Sequence, residues 1–365
     1  MVEWKKLGEV CKTISPPKKL GKEHYSDVGV YPIIDQGQKE IVGFTDDLTA
    51  LLPYGEYVLF GDHTRFVKYH DGRFAQGADG LKILKANEPI MPRYFFYAFD
   101  NVEVPNRGYS RHWSIAKDLL IPIPSLSEQQ RIVSILDTFT SSISNLKQQI
   151  EERKKQYEYE RDRLLDLEGK EGVEMEKLGE VASPNCSLSY GIVQPGDDVT
   201  EGIPVIRPVD LTGTFVNKKG LKKTTKEISD SYKRTILQGN EVLFCVRGTT
   251  GVMSLATKEL KGCNVTRGIV PISFDNDITK MFVYYQLKSH KLQRTIADKT
   301  NGAALKQINI KDLRLLTIPV PSLSTQSHIV SILDTFEASI RNLEGQLALR
   351  EKQYEYYRNQ LLTFD

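Results

Sequence analysis

The chain has 365 residues, of which 40% are hydrophobic and 26% charged, with a formal net charge of +2. That is too long for one small domain and enough for two ordinary domains with connections, while the absence of any run of about 18 apolar residues excludes a membrane-spanning helix. The near-neutral total hides a segregation that composition alone would miss: residues 177–317 carry 21 basic and 13 acidic side chains, a net of +8, whereas residues 121–176 carry 8 and 12.

The opening MVEWKKLGEV lacks the apolar stretch of a signal peptide, so a cytoplasmic chain without a membrane partner is expected. After it, Glu56–Phe60 reads as a strand followed by the polar turn GDHTR, Pro92–Phe99 as an aromatic-rich helix, and NRGYSRHWS (106–114) as a basic glycine-containing loop. The first globe is therefore mixed α/β. Trp113 is read as a core residue. The sequence IPIP (121–124) keeps the chain extended. A helix is then expected from about 128 to 165, with Ser127 and Gln130 as a capping box.

The second half repeats this order. EMEKLGEV (174–181) echoes EWKKLGEV (3–10), and IPVPSLSTQSHIVSILDTF (318–336) matches IPIPSLSEQQRIVSILDTF (121–139) at 15 of 19 positions. The match runs without a gap to Leu362, always at a shift of 197, with 29 identities over 45 positions. Between the echoes lie a strand candidate at Glu241–Val246, the turn RGTTG, a helix candidate at Lys280–Leu292 and the loop KTNGAALKQIN (299–309). The KKGLKKTTK cluster (218–226) reads equally well as a phosphate track or a solvated loop. Ser324 keeps the helix cap without its Gln partner.

Apolar residues on the two long segments alternate at spacings of 4 and 3: Ile132, Leu136, Phe139, Ile143, Leu146 and Ile150, then Ile329, Leu333, Phe336, Ile340, Leu343 and Leu347. That is a heptad seam, loosened at Arg153 and Arg350, which occupy matching positions. The simplest arrangement packs the two helices against each other; packing on their own globes or homodimerisation are the alternatives. The expected fold is α+β: two α/β domains separated by two long antiparallel coiled-coil helices, with a pseudo-twofold internal repeat. The segments are 1–120, 121–170, 171–317 and 318–365.

The loops hold residue types suited to base edges and phosphates, since Arg pairs bidentately with guanine and Asn or Gln with adenine. Candidates in the first globe are Gln36, Gln38, Lys39, His63, Thr64, Arg65, Arg107, Tyr109, Ser110, Arg111 and His112. Those in the second are Arg207, Arg247, Thr249, Thr250, Arg267, Asn301, Lys306 and Gln307. Arg65, Arg111, Arg247 and Lys306 have glycine or small polar neighbours. Catalytic motifs are missing. There is no Walker A sequence, and Ser15-Pro16-Pro17-Lys18 lacks the aromatic of an adenine methyltransferase motif. Asp137, Glu152 and Lys154 form a nuclease-like string on one helix, too extended to share a metal. The four cysteines, Cys11, Cys186, Cys245 and Cys263, are too scattered for a zinc site or disulfide framework. His63 and His112 have no partnered carboxylate or nucleophile at a telling spacing.

The repeated P-[IV]-P-S-L-S-x-Q…I-V-x-I-L-D run after each globe, each behind K-L-G-E-V, resembles type I restriction-modification specificity subunits over essentially the whole chain. The resemblance implies two target recognition domains, each reading half of an asymmetric bipartite site on double-stranded DNA. It implies that the helix pair sets the unread gap and docks two modification subunits, with restriction subunits joining that core. Catalysis would lie elsewhere: no cofactor is expected on this chain, and S-adenosylmethionine, ATP and Mg would serve the partner subunits. A coiled-coil scaffold that binds only proteins, or a fragment of a fused methyltransferase-nuclease, are the competing readings.

Overall fold

The computed structural model describes residues 2–108, 110–300 and 306–364. By contact the chain divides into two compact units: residues 1–148 with 344–365, and residues 149–343. The division cuts across the two long helices, Leu126–Leu165 and Leu323–Leu362. Each unit thus owns part of both helices as well as its globe.

In the first unit a four-stranded antiparallel sheet runs Cys11–Ile14, Leu81–Ala86, Glu56–Gly61, Val67–Asp71. A second sheet orders Gly43–Thr45, Tyr31–Ile34 and Ala75–Gln76, the last pair parallel. Strand Glu56–Gly61 is buried on both faces, which its unbroken apolar run YVLF anticipates. The helix Pro92–Asp100 starts with proline at its first turn, where no backbone donor is lost. It buries Tyr94, Phe95, Tyr97 and Phe99, each worth roughly 1.5–3 kcal/mol of apolar transfer.

The second unit is built on the same plan. Met253–Leu255, Val242–Cys245 and Ile269–Ile272 form one sheet, and Lys222–Thr224, Ile203–Ile206 and Asn264–Val265 the other. The single helix expected at Lys280–Leu292 is two: Asp277–Lys288, capped by Asn276, and His290–Asp298, capped by Ser289. Ser289 has extended backbone, and its hydroxyl accepts from Leu292 N, so a new helix begins there.

The twin echoes have a structural reason. Glu3–Lys6 pairs antiparallel with Leu120–Ile123, and Glu174–Lys177 pairs in the same register with Thr317–Val320. Each K-L-G-E-V sequence is the turn of helix that follows, with Leu7 and Leu178 fully buried. The start and end of each globe are therefore stitched together where the long helix begins. That helix starts at Leu126, two residues earlier than its sequence suggests. Ser125 Oγ, rather than Ser127, accepts the backbone N–H of Glu128 at 3.4 Å, and Ser322 does the same for Thr325 at 3.3 Å.

The seam residues divide between two tasks. Ile132 and Leu136 are buried in the first unit's core with Tyr94, Phe95 and Ile121. Ile329 and Leu333 are buried likewise in the second unit, with Phe282, Tyr285 and Ile318. These four fasten each helix to its own globe. The opposing long helix joins the same clusters, through Leu362 in the first unit and Tyr157 and Leu165 in the second, and further helix-on-helix contacts follow. In the first unit Phe139 stacks on Tyr357 at 5.3 Å and Lys147 pairs with Glu351 at 3.1 Å, an antiparallel alignment. In the second unit Tyr157 lies 6.4 Å from Phe336. The two arginines that loosen the seam cap these rings: Arg350 sits 5.6 Å over Phe139, and Arg153 5.8 Å over Phe336. Among the other seam positions Ile150 is buried, while Ile143, Leu146, Ile340, Leu343 and Leu347 are half-buried. No helix among the described residues is long and apolar enough to cross a membrane.

Candidate nucleic-acid interface

In the first unit the polar turn after Glu56–Gly61 is held by one buried carboxylate. Asp62 accepts Trp113 N–H on Oδ1 at 2.7 Å, and its own carbonyl accepts His112 N–H at 2.8 Å. Lys82 Nζ stands 3.8 Å from its other oxygen. Gln36 crosses from the second sheet: its Oε1 accepts His63 N–H at 3.1 Å and its Nε2 donates to Asp79 O at 3.0 Å. Thr64 Oγ1 donates to Gln36 O, and His63 Nδ1 meets Ser110 O at 3.1 Å. Arg65 Nη1 donates to Val104 O at 3.0 Å. The fold thus gathers Gln36, His63, Thr64, Arg65, Ser110 and His112 into one polar cluster.

Gln38, Lys39, Arg107 and Arg111 lie on the exposed side of these loops. The carbonyls of Asp35 and Lys39 both accept from Lys68 Nζ, at 2.9 and 2.5 Å. Burial pulls the Lys68 ammonium below its ordinary range against the opposing pull of Asp35 and Glu40. Lys68 and Asp62 organise the loops and were missed from sequence; the only signal for Asp62 was its place in GDHTR beside a chosen histidine.

One candidate needs correction. His112 is fully buried, with Nε2 accepting Arg107 N–H at 3.2 Å and Nδ1 2.9 Å from Asp62 O, so it has no ring atom left for a base or phosphate. Trp113, expected in the core, is half-buried and packs beside Phe60 and Phe99. Tyr109 and Asn301 lie outside the described residues.

The second unit repeats the hydrogen-bond frame with other side chains. Asp62 N–H donates to Gly80 O and His112 N–H to Asp62 O; correspondingly Val246 N–H donates to Gly268 O and Ile308 N–H to Val246 O. The backbones of Arg247 and Gln307 pair as an isolated antiparallel β-bridge, and Thr250 Oγ1 donates to Lys306 O at 3.1 Å. Thr249 sits 3.4 Å from Cys245 Sγ. Arg247 and Arg267 line a depression of about 380 Å³ with Ile192, Pro208 and Thr266. Arg247 is half-buried, and its Nε has no partner among the described residues. Arg207, by contrast, is closed on Asp210 through two bonds of 3.0 and 2.9 Å. In the basic cluster Lys218 Nζ donates to Glu259 O and Lys223 Nζ to Thr200 O, so both brace loops.

Two globes built on one frame, each finished by part of a helix pair and differing in their polar loops, define a paired recognition module. The model of the type I restriction modification DNA specificity domain matches residues 1–153 and again 170–349, and the chain belongs to that family. The type I restriction enzyme EcoR124I/EcoR124II specificity subunit of Escherichia coli is 30% identical, over 100% of this chain and 94% of that protein. A putative type I specificity subunit of Haemophilus influenzae is 27% identical over 100% and 96%. Among solved structures, the S subunit of the M. genitalium type I restriction-modification system superposes with a TM-score of 0.66 at 16% identity. It covers 100% of this chain and 97% of its own. A chain from a study of assembly of the type I restriction-modification system gives 0.59 at 18%, over 100% and 98%.

Proposed function

We propose that this chain is the non-catalytic DNA-reading subunit of a type I restriction-modification enzyme, with each unit reading one half of a bipartite site on double-stranded DNA. The observation that carries this is the shared frame with exchanged contents. Position for position, Asp62 becomes Val246 and His112 becomes Ile308 while the backbone bonds persist. A scaffold that bound one protein twice would have no need of two different polar loop sets on the same frame. Phosphate contacts from exposed lysines and arginines would orient each unit, and base-edge contacts would specify.

In this reading the long helices set the unread gap and dock two modification subunits, and restriction subunits complete the cytoplasmic enzyme. S-adenosylmethionine, ATP and Mg act on those partners. Asp137 supports the non-catalytic assignment. Its Oδ1 accepts from Arg93 Nε at 2.8 Å and Tyr97 Oη at 2.5 Å, so this oxygen fastens the long helix to the first globe.

The test is an exchange of globes. Replacing residues 11–117 with the corresponding segment of another specificity subunit, in cells that also make the modification partner, should change one half of the methylated motif and leave the other half unchanged. Genome-wide methylation sequencing reads this directly. A change in both halves would sink the assignment of one unit to one half-site.

A further inference from the structure

We propose that His112 and Arg65 are positioning residues that latch residues 104–108 and 110–112 of the first unit, so that Arg107 and Arg111 are presented to DNA in a preset geometry. The proposal rests on the DNA-reading assignment above and adds to it how one reading loop is held.

His112 supplies the first latch. Arg107 N–H donates to its Nε2, so that nitrogen carries no proton, and the proton on Nδ1 is donated to Asp62 O. One neutral imidazole thereby bridges the loop to the end of strand Glu56–Gly61. The same place in the second unit holds Ile308, equally buried and making the same backbone bond. Core filling therefore does not call for a histidine. What the imidazole adds over isoleucine is its pair of hydrogen bonds.

Arg65 supplies the second. Its φ is +66°, the left-handed region that glycine tolerates and side chains disfavour. The second unit places Gly251, at φ +91°, at the corresponding point. Each of these residues precedes the one whose carbonyl closes the hairpin, Phe66 onto Gly61 N–H and Val252 onto Cys245 N–H. An arginine kept where the frame accommodates glycine points to use of its side chain, which donates to Val104 O at the near end of the loop. Arg107 and Arg111, between the two latches, are exposed. Fixing the loop before binding holds Arg107 and Arg111 to one geometry, so that a wrong base leaves a donor unpaired, whereas a released loop could shift to meet it.

The experiment uses the full chain produced with its modification partner, and reads the methylated motif genome-wide together with the thermal midpoint of the purified complex. His112→Ile, which installs the second unit's residue, and Arg65→Gly should keep the midpoint within a few degrees. Both should make one half of the motif degenerate, with sites one base pair away methylated about ten-fold more often. His112→Gln, which can place an acceptor near Nε2, and Arg65→Lys, which can still reach a carbonyl, should restore stringency at least in part. Motifs as stringent as wild type in both His112→Ile and Arg65→Gly overturn the latch. So does a loss that affects both halves together and follows the midpoint in all four variants, because a purely structural role predicts that pattern. If His112→Ile does not fold, Arg65→Gly decides alone, since it relaxes the backbone. A wild-type chain that yields no bipartite motif overturns the DNA-reading assignment, and the latch with it.

Discussion

Two arginines of the second unit illustrate how little a residue type says until its neighbours are known. Arg207 and Arg247 both suit guanine, but Arg207 is engaged at both ends of its fork by Asp210, three residues on, within a short helical turn. Arg247 keeps a buried Nε without a partner among the described residues, and the residue lines a depression with Arg267. Replacing Arg247 by Ala should therefore relax one position of the second half-site, with a loss of about 1–3 kcal/mol of discrimination. Arg207→Ala should leave the motif unchanged. Competition binding against single-base variants of the methylated motif measures both, and equal effects from the two would refute the distinction. The sequence displayed both arginines, and even the Asp three positions after Arg207. It could not display that the intervening Pro-Val turn brings the carboxylate back onto the guanidinium. His112 is the same lesson inverted: a polar residue in a basic loop reads as a contact, and only the folded hairpin reveals that both nitrogens are already bonded.

At the level of elements, the long helices were legible because a 197-residue repeat and a heptad pattern agree on them. Their attachment to the globes was not, because the same apolar residues serve both. The less regular attachments are polar. In the second unit Glu337, on the second long helix, is buried and accepts from Lys288 Nζ at 3.1 Å, Tyr157 Oη at 3.2 Å and Thr214 Oγ1 at 3.3 Å. The hub thus ties both long helices to the globe. Its equivalent in the first repeat is Thr140, which explains why identity between the copies gave no hint of it. Glu337→Ala leaves Lys288 without its carboxylate and should cost about 3–5 kcal/mol, seen as a lower urea midpoint of the second unit. The Lys288 ammonium is subject to opposite forces. Burial pulls its pKa down, but Tyr284 and Glu337 outweigh burial and hold it above its ordinary value. The stability it contributes is present below the unfolded lysine value of about 10.4. It is lost as pH rises through the raised folded value. An alkaline titration of stability should accordingly show a component above that pH that Lys288→Met removes; an identical alkaline profile in the variant would count against this network.

On the scale of the whole molecule, the sequence announced a duplication, and the repeated family match to residues 1–153 and 170–349 agrees with it. On the proposed reading, a duplicated reader would add a distance to what a single one recognises, because half-site spacing on DNA follows from the geometry of the protein. If the helix pair is the ruler, its length should be exchangeable for base pairs. A heptad is the natural unit to remove, since seven residues preserve the a and d seam and hence the faces on which Phe139, Tyr357, Tyr157 and Phe336 meet. Deleting one heptad from each long helix, between Phe139 and Arg153 in the first and between Phe336 and Arg350 in the second, removes about 10 Å of helix at 1.5 Å per residue. At 3.4 Å per base pair the unread gap should shrink by at most about three base pairs. Both half-sites should keep their sequences, because every loop residue named above stays on an unaltered globe. The deletion in one helix alone should instead abolish the motif, since the two seams would then fall out of register. Methylation sequencing separates these outcomes: an unchanged gap after the paired deletion would show that something other than the helices measures the distance, and an altered half-site would show that the helices do more than measure.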